Sequence, residues 1–419
     1  MKTTRRDFLR LTAAGTTLSF FSPTVFATPS SGSADKVLVV LFLNGGNDAV
    51  NTVVPYADSR YRTLRPTLAI PDSSLVHLDD RNALHPSLAP LEPFYASRKL
   101  ALLNGVGFPT LDRSHFHCRD VWMTAAAADD HHGGGGTGGG RGWLGRYADL
   151  YLPHVDSPLT TITVGNASSL ALDAESVLPA TIPANGTFDI LTDARAGRDA
   201  WTSAMRTIWS EERSAEDMEM IREQGSETFG AIDLVKTIPP PSVTAVYPEG
   251  ALGAAFRLAA QVIAGDIGTH AVWINHGGFD THSAQSGEHT ELLTDVAASL
   301  AAFQSDLDAR GLSDRVVVMA WSEFGRRVQE NASLGTDHGK AGTVLLLGNA
   351  IKGGEVYGGP WDLANLEDGD LPTTVDFRAV YATLIRDWYG NDPMPVLGGH
   401  YENLGFIGTA AKRRRRAIG

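Results

Sequence analysis

Five short segments of this chain are unusually rich in oxygen and nitrogen donors of the kind that hold divalent metal ions. The first is Asn44-Gly45-Gly46-Asn47-Asp48, where paired glycines permit a sharp turn and Asp48 offers a hard oxygen ligand. The second is Arg113-Ser114-His115-Phe116-His117, which reads as the start of a helix running to Ala128. A serine there either caps the free backbone N–H groups or attacks phosphorus or sulfur, with Arg113 holding the charged oxygens and His115 or His117 supplying a proton. The third, His276 to His282 with His289 following, places three histidines and an aspartate within fourteen residues. Asp280 and His282, two apart on a loop, can point at one cation, and imidazole with carboxylate suits zinc, manganese or iron. The fourth and fifth are Ser322-Glu323-Phe324-Gly325-Arg326 and Gly335-Thr336-Asp337-His338-Gly339. Glu323 closes a strongly apolar run, where a carboxylate either meets a metal or pairs with Arg326 or Arg327. The segments together predict a polar, metal-competent edge. Its expected ligands are Asp48, Asp280, His282, Glu323 and His338, with Asn47 and Arg326 expected to contact substrate.

Such an edge needs a scaffold, and the apolar runs supply one. Lys36 to Leu43 is a continuous apolar stretch of strand length, as found in strands buried on both faces of a parallel sheet. The pattern recurs at Lys99–Val106, Thr160–Val164, Ala271–Asn275, Arg315–Trp321 and Thr343–Leu347. Between them lie helical patterns: Gly250–Ala264, and Glu288–Arg310 with Leu292, Val296, Leu300, Phe303 and Leu307 on one stripe. Alternating strands and helices predict an α/β fold, doubly wound around a mostly parallel sheet with helices on both faces. In such sheets ligands bind beyond the carboxyl ends of the strands, where most of the five segments fall.

Residues 1–27 read as a twin-arginine export signal. Arg5-Arg6 is followed by a mildly apolar run to Phe21, and Val25-Phe26-Ala27 offers a cleavage site. The expected mature domain spans 28–411. It includes a glycine-rich loop at 129–142, an insertion around 170–250 and a basic tail at 412–419. With a formal net charge of −13 overall, and basic residues concentrated at both ends, the body carries about −21, which excludes a general nucleic-acid binder. No later stretch is long and apolar enough to span a membrane. The single cysteine, Cys118, excludes an intramolecular disulfide and a multi-cysteine metal cluster.

Several motifs also resemble a known family. FLNGGNDAVNTVVPY, RSHF, GWLGRY, GGFDTHSAQ, SEFGRRVQENASLGTDHG and TVDFRAVYATLIRDWYG are similar to the exported domain-of-unknown-function family 1501, itself distantly similar to the alkaline phosphatase and sulfatase superfamily. The resemblance implies a doubly wound core, usually two metals, and a serine, threonine or formylglycine nucleophile at a helix N-terminus. It maps Asp48 onto the first metal-binding aspartate, Ser114 onto the nucleophile, Asp280 and His282 onto the ligands of one metal, and His338 onto the last histidine ligand. Two features depart from the superfamily pattern. Asp280 and His282 stand two apart rather than four, and Glu323-Phe324-Gly325 replaces Asp-His-Gly, which removes an imidazole. Cys118 lies outside a sulfatase-type modification motif.

The expected function is an exported, metal-dependent hydrolase of phosphate or sulfate esters, acting through a metal-activated Ser114. It would use one or two divalent ions (zinc, manganese, magnesium or calcium) and take a small-molecule or polysaccharide ester as substrate. The alternative is a non-catalytic exported scaffold, or a carbohydrate-associated protein, with a degenerate metal site. Export is directly testable: replacing both Arg5 and Arg6 with lysine is expected to retain the protein in the cytoplasm. Cell fractionation that finds the double variant exported as efficiently as the parent would remove the twin-arginine assignment.

Overall fold

The structure, a computed structural model, describes residues 35–126, 140–155, 157–184, 198–210, 216–238 and 245–408. The first apolar run forms β1 (Val37–Asn44), buried throughout as far as Leu43. Because side chains alternate along a strand, Leu38, Val40 and Phe42 enter one core while Val37, Val39, Leu41 and Leu43 enter a second on the opposite face. The other strands of the central sheet are β2 (Leu100–Gly107), β3 (Thr161–Val164), β4 (Ala180–Ile182), β5 (Ala271–Gly277), β6 (Val316–Trp321), β7 (Gly342–Leu347), β8 (Glu355–Tyr357) and β9 (Val375–Asp376), and Val53–Val54, Val76–His77 and Ala83–Leu84 form a separate three-stranded sheet. The central sheet has the order β8-β2-β7-β6-β1-β5-β3-β4, with β9 also pairing with β2. Within it only β7 runs against its neighbours; the remaining pairings are parallel.

Helices cover both faces. They are α1 (His115–Thr124), α2 (Trp143–Tyr151), α3 (Arg198–Ser210), α4 (Glu216–Thr237), α5 (Ala251–Ala264), α6 (Gln285–Arg310) and α7 (Phe377–Thr383). On one face α1, α2 and α7 build an aromatic core in which Trp122 stacks on Trp321 at 4.5 Å and Trp143 on Tyr381 at 4.0 Å. On the other, α5 and α6 pack an aliphatic core that includes Phe256 and Phe303. Burying each such side chain contributes about 1.5–3 kcal/mol. The α6 stripe is as the spacing predicts at Val296, Leu300, Phe303 and Leu307, joined by Leu293, with Leu292 only partly buried. The helix ends at Gly311, whose φ of 70° suits glycine. Helix α1 stops at Thr124 rather than running on to Ala128, because Ala125 turns left-handed at φ 52°.

The doubly wound, mostly parallel α/β sheet is therefore the architecture of this chain. The expected glycine-rich loop lies largely outside the described residues, as do the signal and the basic tail. The segment around 170–250 supplies edge strand β4 and helices α3 and α4, and Ala231 and Val235 of α4 reach the second core. No helix among the described residues is long and apolar enough to cross a membrane.

The sheet order fixes where chemistry can happen. β1 lies between β5 and β6 and runs parallel to both, with Asn44 beside Gly277 and Phe42 beside Trp321. The loops that leave these three strands thus emerge together at one edge.

Candidate metal centre

The loop after β1 begins with Gly45 and Gly46 at φ 125° and 78°. A side chain at Gly45 would put a Cβ 2.5 Å from the backbone nitrogen of Asp280, so only glycine allows the β1 and β5 loops to touch. The amides of Gly45 and Gly46 form a small anion nest that grips the buried carboxylate of Glu323, at the end of β6, through bonds of 3.0–3.2 Å. Glu323 Oε1 also accepts a 2.8 Å hydrogen bond from His115 Nδ1, in the first turn of α1. Glu323 therefore orients an imidazole rather than meeting a metal itself.

His115 turns its other nitrogen, Nε2, toward Asp280 Oδ2, 3.4 Å away, and that nitrogen is buried without a hydrogen-bond partner. One ligand atom each from His115, Asp280 and His338 lie within 4.8 Å of one another. His282 joins the group: its Nε2 is 2.9 Å from His338 Nε2 and 3.0 Å from Asp280 Oδ1, which in turn is 3.0 Å from His338 Nε2.

Each outward-facing nitrogen has an oxygen beside it. His338 Nδ1 lies 2.9 Å from the carbonyl oxygen of Arg113, His282 Nδ1 lies 3.4 Å from Asp337 Oδ1, and His115 Nδ1 contacts Glu323. Carbonyl and carboxylate oxygens accept, so a ring proton on each Nδ1 is satisfied there. On the inner side, His115, His282 and His338 each bring Nε2 to within 3.0–3.4 Å of an Asp280 oxygen, close enough for a hydrogen bond or for a shared cation. Spacings of 2.9–3.0 Å approach the ligand-to-ligand edge of about 3.3 Å that bonds of about 2.0–2.1 Å make around a tetrahedral ion. Histidine ligands whose far nitrogens donate to a carboxylate or a carbonyl are the usual outer support of a metal site. The residues fit one divalent ion, and Asp280 and His282 are exposed enough to leave the centre open to solvent.

The electrostatics agree with this arrangement. Burial works to raise the Asp280 pKa, but hydrogen bonds from His338 and Arg326 bring it down to about 2, which keeps the ligand anionic. Burial lowers the His338 pKa and favours its neutral, ligating form. The hydrogen bond with Glu323 raises that of His115.

Other expected site residues are placed elsewhere. Asp48 is fully buried and its two carboxylate oxygens are taken by the Arg65 guanidinium, at 2.5 and 3.0 Å, and by Gln285, so it is not in the ligand group. Burial works to raise its pKa, and Arg65 pulls it below the ordinary carboxylate value. Asn47 is also buried: its side chain bonds Thr52 and His289 and offers nothing to a substrate. Arg326 is fully buried and its three nitrogens are committed to the carbonyls of Gly45, Gly46, Phe279 and Thr336 and to Asp280; it ties the loops together rather than facing a substrate. Arg113, at φ 64°, gives its carbonyl to His338 and its guanidinium to Asp370. Ser114 caps α1, its hydroxyl oxygen accepting a long 3.5 Å bond from His117 N. His289 packs edge-on to His85, and burial lowers both their pKa values to about 4. Sequence reasoning assigned Asp370 and Arg65 no role, read Asp337 with His338 as a ligand pair, and cast His115 as a proton donor or a packing residue rather than a ligand. The signal for His115 was its place beside a capping serine at the sheet edge.

These placements have measurable consequences. Asp48→Ala leaves Arg65 buried without its counter-ion and is expected to cost about 3–5 kcal/mol in denaturant unfolding, with unchanged zinc stoichiometry. Loss of zinc with little loss of stability would return Asp48 to the ligand set. Zinc, used as the probe ion, would compete with protons for the same Nε2 atoms, and His115 holds its proton more tightly than an ordinary histidine. Zinc affinity is therefore expected to fall as pH drops through the histidine range and to recover as pH rises. Glu323→Gln is expected to weaken zinc binding about 10–100-fold. Equilibrium dialysis from pH 5 to 8 checks both, and a flat profile with unaltered affinity in the variant would dismiss the centre.

Residues 203–393 match the family described as "Protein of unknown function (DUF1501)". No curated protein matches the sequence. Among solved structures, the chain is similar to Ps i-CgsB at 8% identity, covering 89% of this chain and 75% of that one with a TM-score of 0.40. It is similar to phosphonate monoester hydrolase SpPMH from Silicibacter pomeroyi at 10% identity, over 91% and 78%, with a TM-score of 0.38. The lipoteichoic acid synthase LtaP from Listeria monocytogenes gives 11%, 90%, 77% and 0.33. The matched segment, somewhat under half of the chain, carries Asp280, His282, Glu323 and His338.

Proposed function

We propose that this protein is an exported hydrolase of phosphate or sulfate esters that works with one divalent metal ion. The reading rests on one observation: His115, Asp280 and His338 form a group able to hold a metal, His282 lies beside it, and each ring's Nδ1 faces an oxygen on the outer side. One ion rather than two follows from the fate of the remaining acids, since Asp48 is neutralised by Arg65 and Glu323 is held by glycine amides and His115.

When bound, the ion supplies Lewis acidity toward an ester oxygen and toward a nearby hydroxyl. The protein's own residues do the positioning. Asp280 stays anionic under the hydrogen bond from Arg326, and the three imidazoles are oriented by Glu323, Asp337 and the Arg113 carbonyl. Ser114 is the proposed nucleophile. It adjoins His115, and the hydroxyl's one hydrogen bond among the described residues is the weak bond it accepts from His117, which leaves its proton uncommitted. Attack by Ser114 Oγ on phosphorus or sulfur would displace the alcohol, and water would then release the bound oxyanion. The twin-arginine signature supports transport of the protein already folded.

The test pairs elemental analysis of the purified protein with a panel of phosphate monoesters, phosphate diesters and sulfate esters. About one tightly bound divalent ion per chain and turnover of at least one ester class are expected. Ser114→Ala should keep the ion and the fold while losing activity by about 10³-fold or more. A stable, metal-free and inactive protein would reject the hydrolase and leave the exported scaffold. An active Ser114→Ala variant would reject the nucleophile while sparing the metal centre.

A further inference from the structure

Beside the metal centre two arginines share a single buried acid. Asp370 is inaccessible to solvent; Arg113 Nη2 bonds one of its oxygens and Arg327 Nε lies 3.4 Å from the other. Both guanidinium groups are about one-third exposed, at 35% and 37%. Arg327 directs Nη2 to the carbonyl of Asp368, while Arg113 Nε is buried with no hydrogen-bond partner. The two cations share this one carboxylate, with the Asp337 carboxylate also acting on Arg327, and N–H groups remain unspent. The neighbouring pair, Lys340 with Glu367, is already neutral at 3.1 Å.

The backbones of these arginines are tied to the cluster. The Arg113 carbonyl accepts the Nδ1 proton of His338, and the Arg327 amide donates at 2.9 Å to the carbonyl of Asp337, whose carboxylate faces His282. Each arginine thus stands one hydrogen-bonded step from a ligating histidine. A guanidinium is a planar fork that pairs bidentately with tetrahedral oxyanions. In a chain whose net charge is −13, two partly exposed guanidinium groups with unspent N–H donors are what can hold an anionic group close to the surface.

We infer that Arg113 and Arg327, clamped in place by Asp370, form a binding site for a tetrahedral oxyanion, phosphate or sulfate, on the rim of the metal centre. The assignment of that oxyanion to the substrate rests on the hydrolase reading; the anion site itself does not. Arg113 and Arg327 are positioning and specificity residues in this scheme, and Asp370 sets how much of their charge is available.

The experiment measures binding of inorganic phosphate and of inorganic sulfate by titration calorimetry, on the intact protein both metal-loaded and after chelation. Arg327→Met is expected to weaken anion binding about tenfold in both states, whereas Arg206→Met, in an ion pair with Asp233 elsewhere, should change nothing. Asp370→Asn should strengthen binding by freeing both guanidinium groups; a purely structural role for the trio predicts no gain. On an ester that is turned over, Arg327→Met should raise KM and the inhibition constant of the product anion about tenfold with kcat little altered. Anion binding unchanged in Arg327→Met would overturn the inference even in an active enzyme. Arginine-dependent binding in a metal-free, inactive protein would uphold the anion site and discard the hydrolase.

Discussion

The architecture of the edge depends on a carboxylate held out of water at the end of a strand. Glu323 follows the apolar strand β6 and has no solvent access. Removing an ion of this kind from water costs several kcal/mol even after relaxation. Two amides of the β1 loop and the imidazole of His115 offset that cost, and in doing so they draw three separate parts of the chain onto one point. The same bonds set the rotation of His115 and so decide which nitrogen looks inward. Arg326, three residues on, reinforces the arrangement by stitching the carbonyls of Gly45, Gly46 and Phe279 together.

Close backbone approach makes this possible. Gly335 lies where a Cβ would sit 2.2 Å from the His282 backbone, and Gly339 where one would sit 2.5 Å from that of Arg326. These glycines, with Gly45, hold the loops at contact distance. The centre is built from backbone spacing as much as from its imidazoles, with Asp48 and Arg65 forming a second, dry ionic layer beneath.

The strands were legible because a continuous apolar run has few other uses in a chain of this composition, and β1, β2 and β6 fall within a residue or so of where those runs lie. The convergence of the loops after them followed from the parallel order. The placement of Asp280, His282 and His338 together was also readable, since histidines flanked by glycine and aspartate have little to do in a core. Two things were not. Nothing in the spacing between Asp48 and Arg65 announces that they meet, because ion pairs across loops leave no periodic trace. Nor does sequence show which of two adjacent arginines is buried: Arg326 disappears into the loop junction while Arg327 remains at the surface, a difference decided by strand-end geometry alone.

One further consequence comes from chain order. The hydrogen bond between Arg113 and His338 spans 225 residues, and the sheet places the earliest strand between two that are made much later. A growing polypeptide therefore holds its ligands apart until nearly all of it has been synthesised. An ion held there would be captured only once β1, β5 and β6 stand side by side, so an occupied centre would act as a receipt that the middle of the sheet has formed.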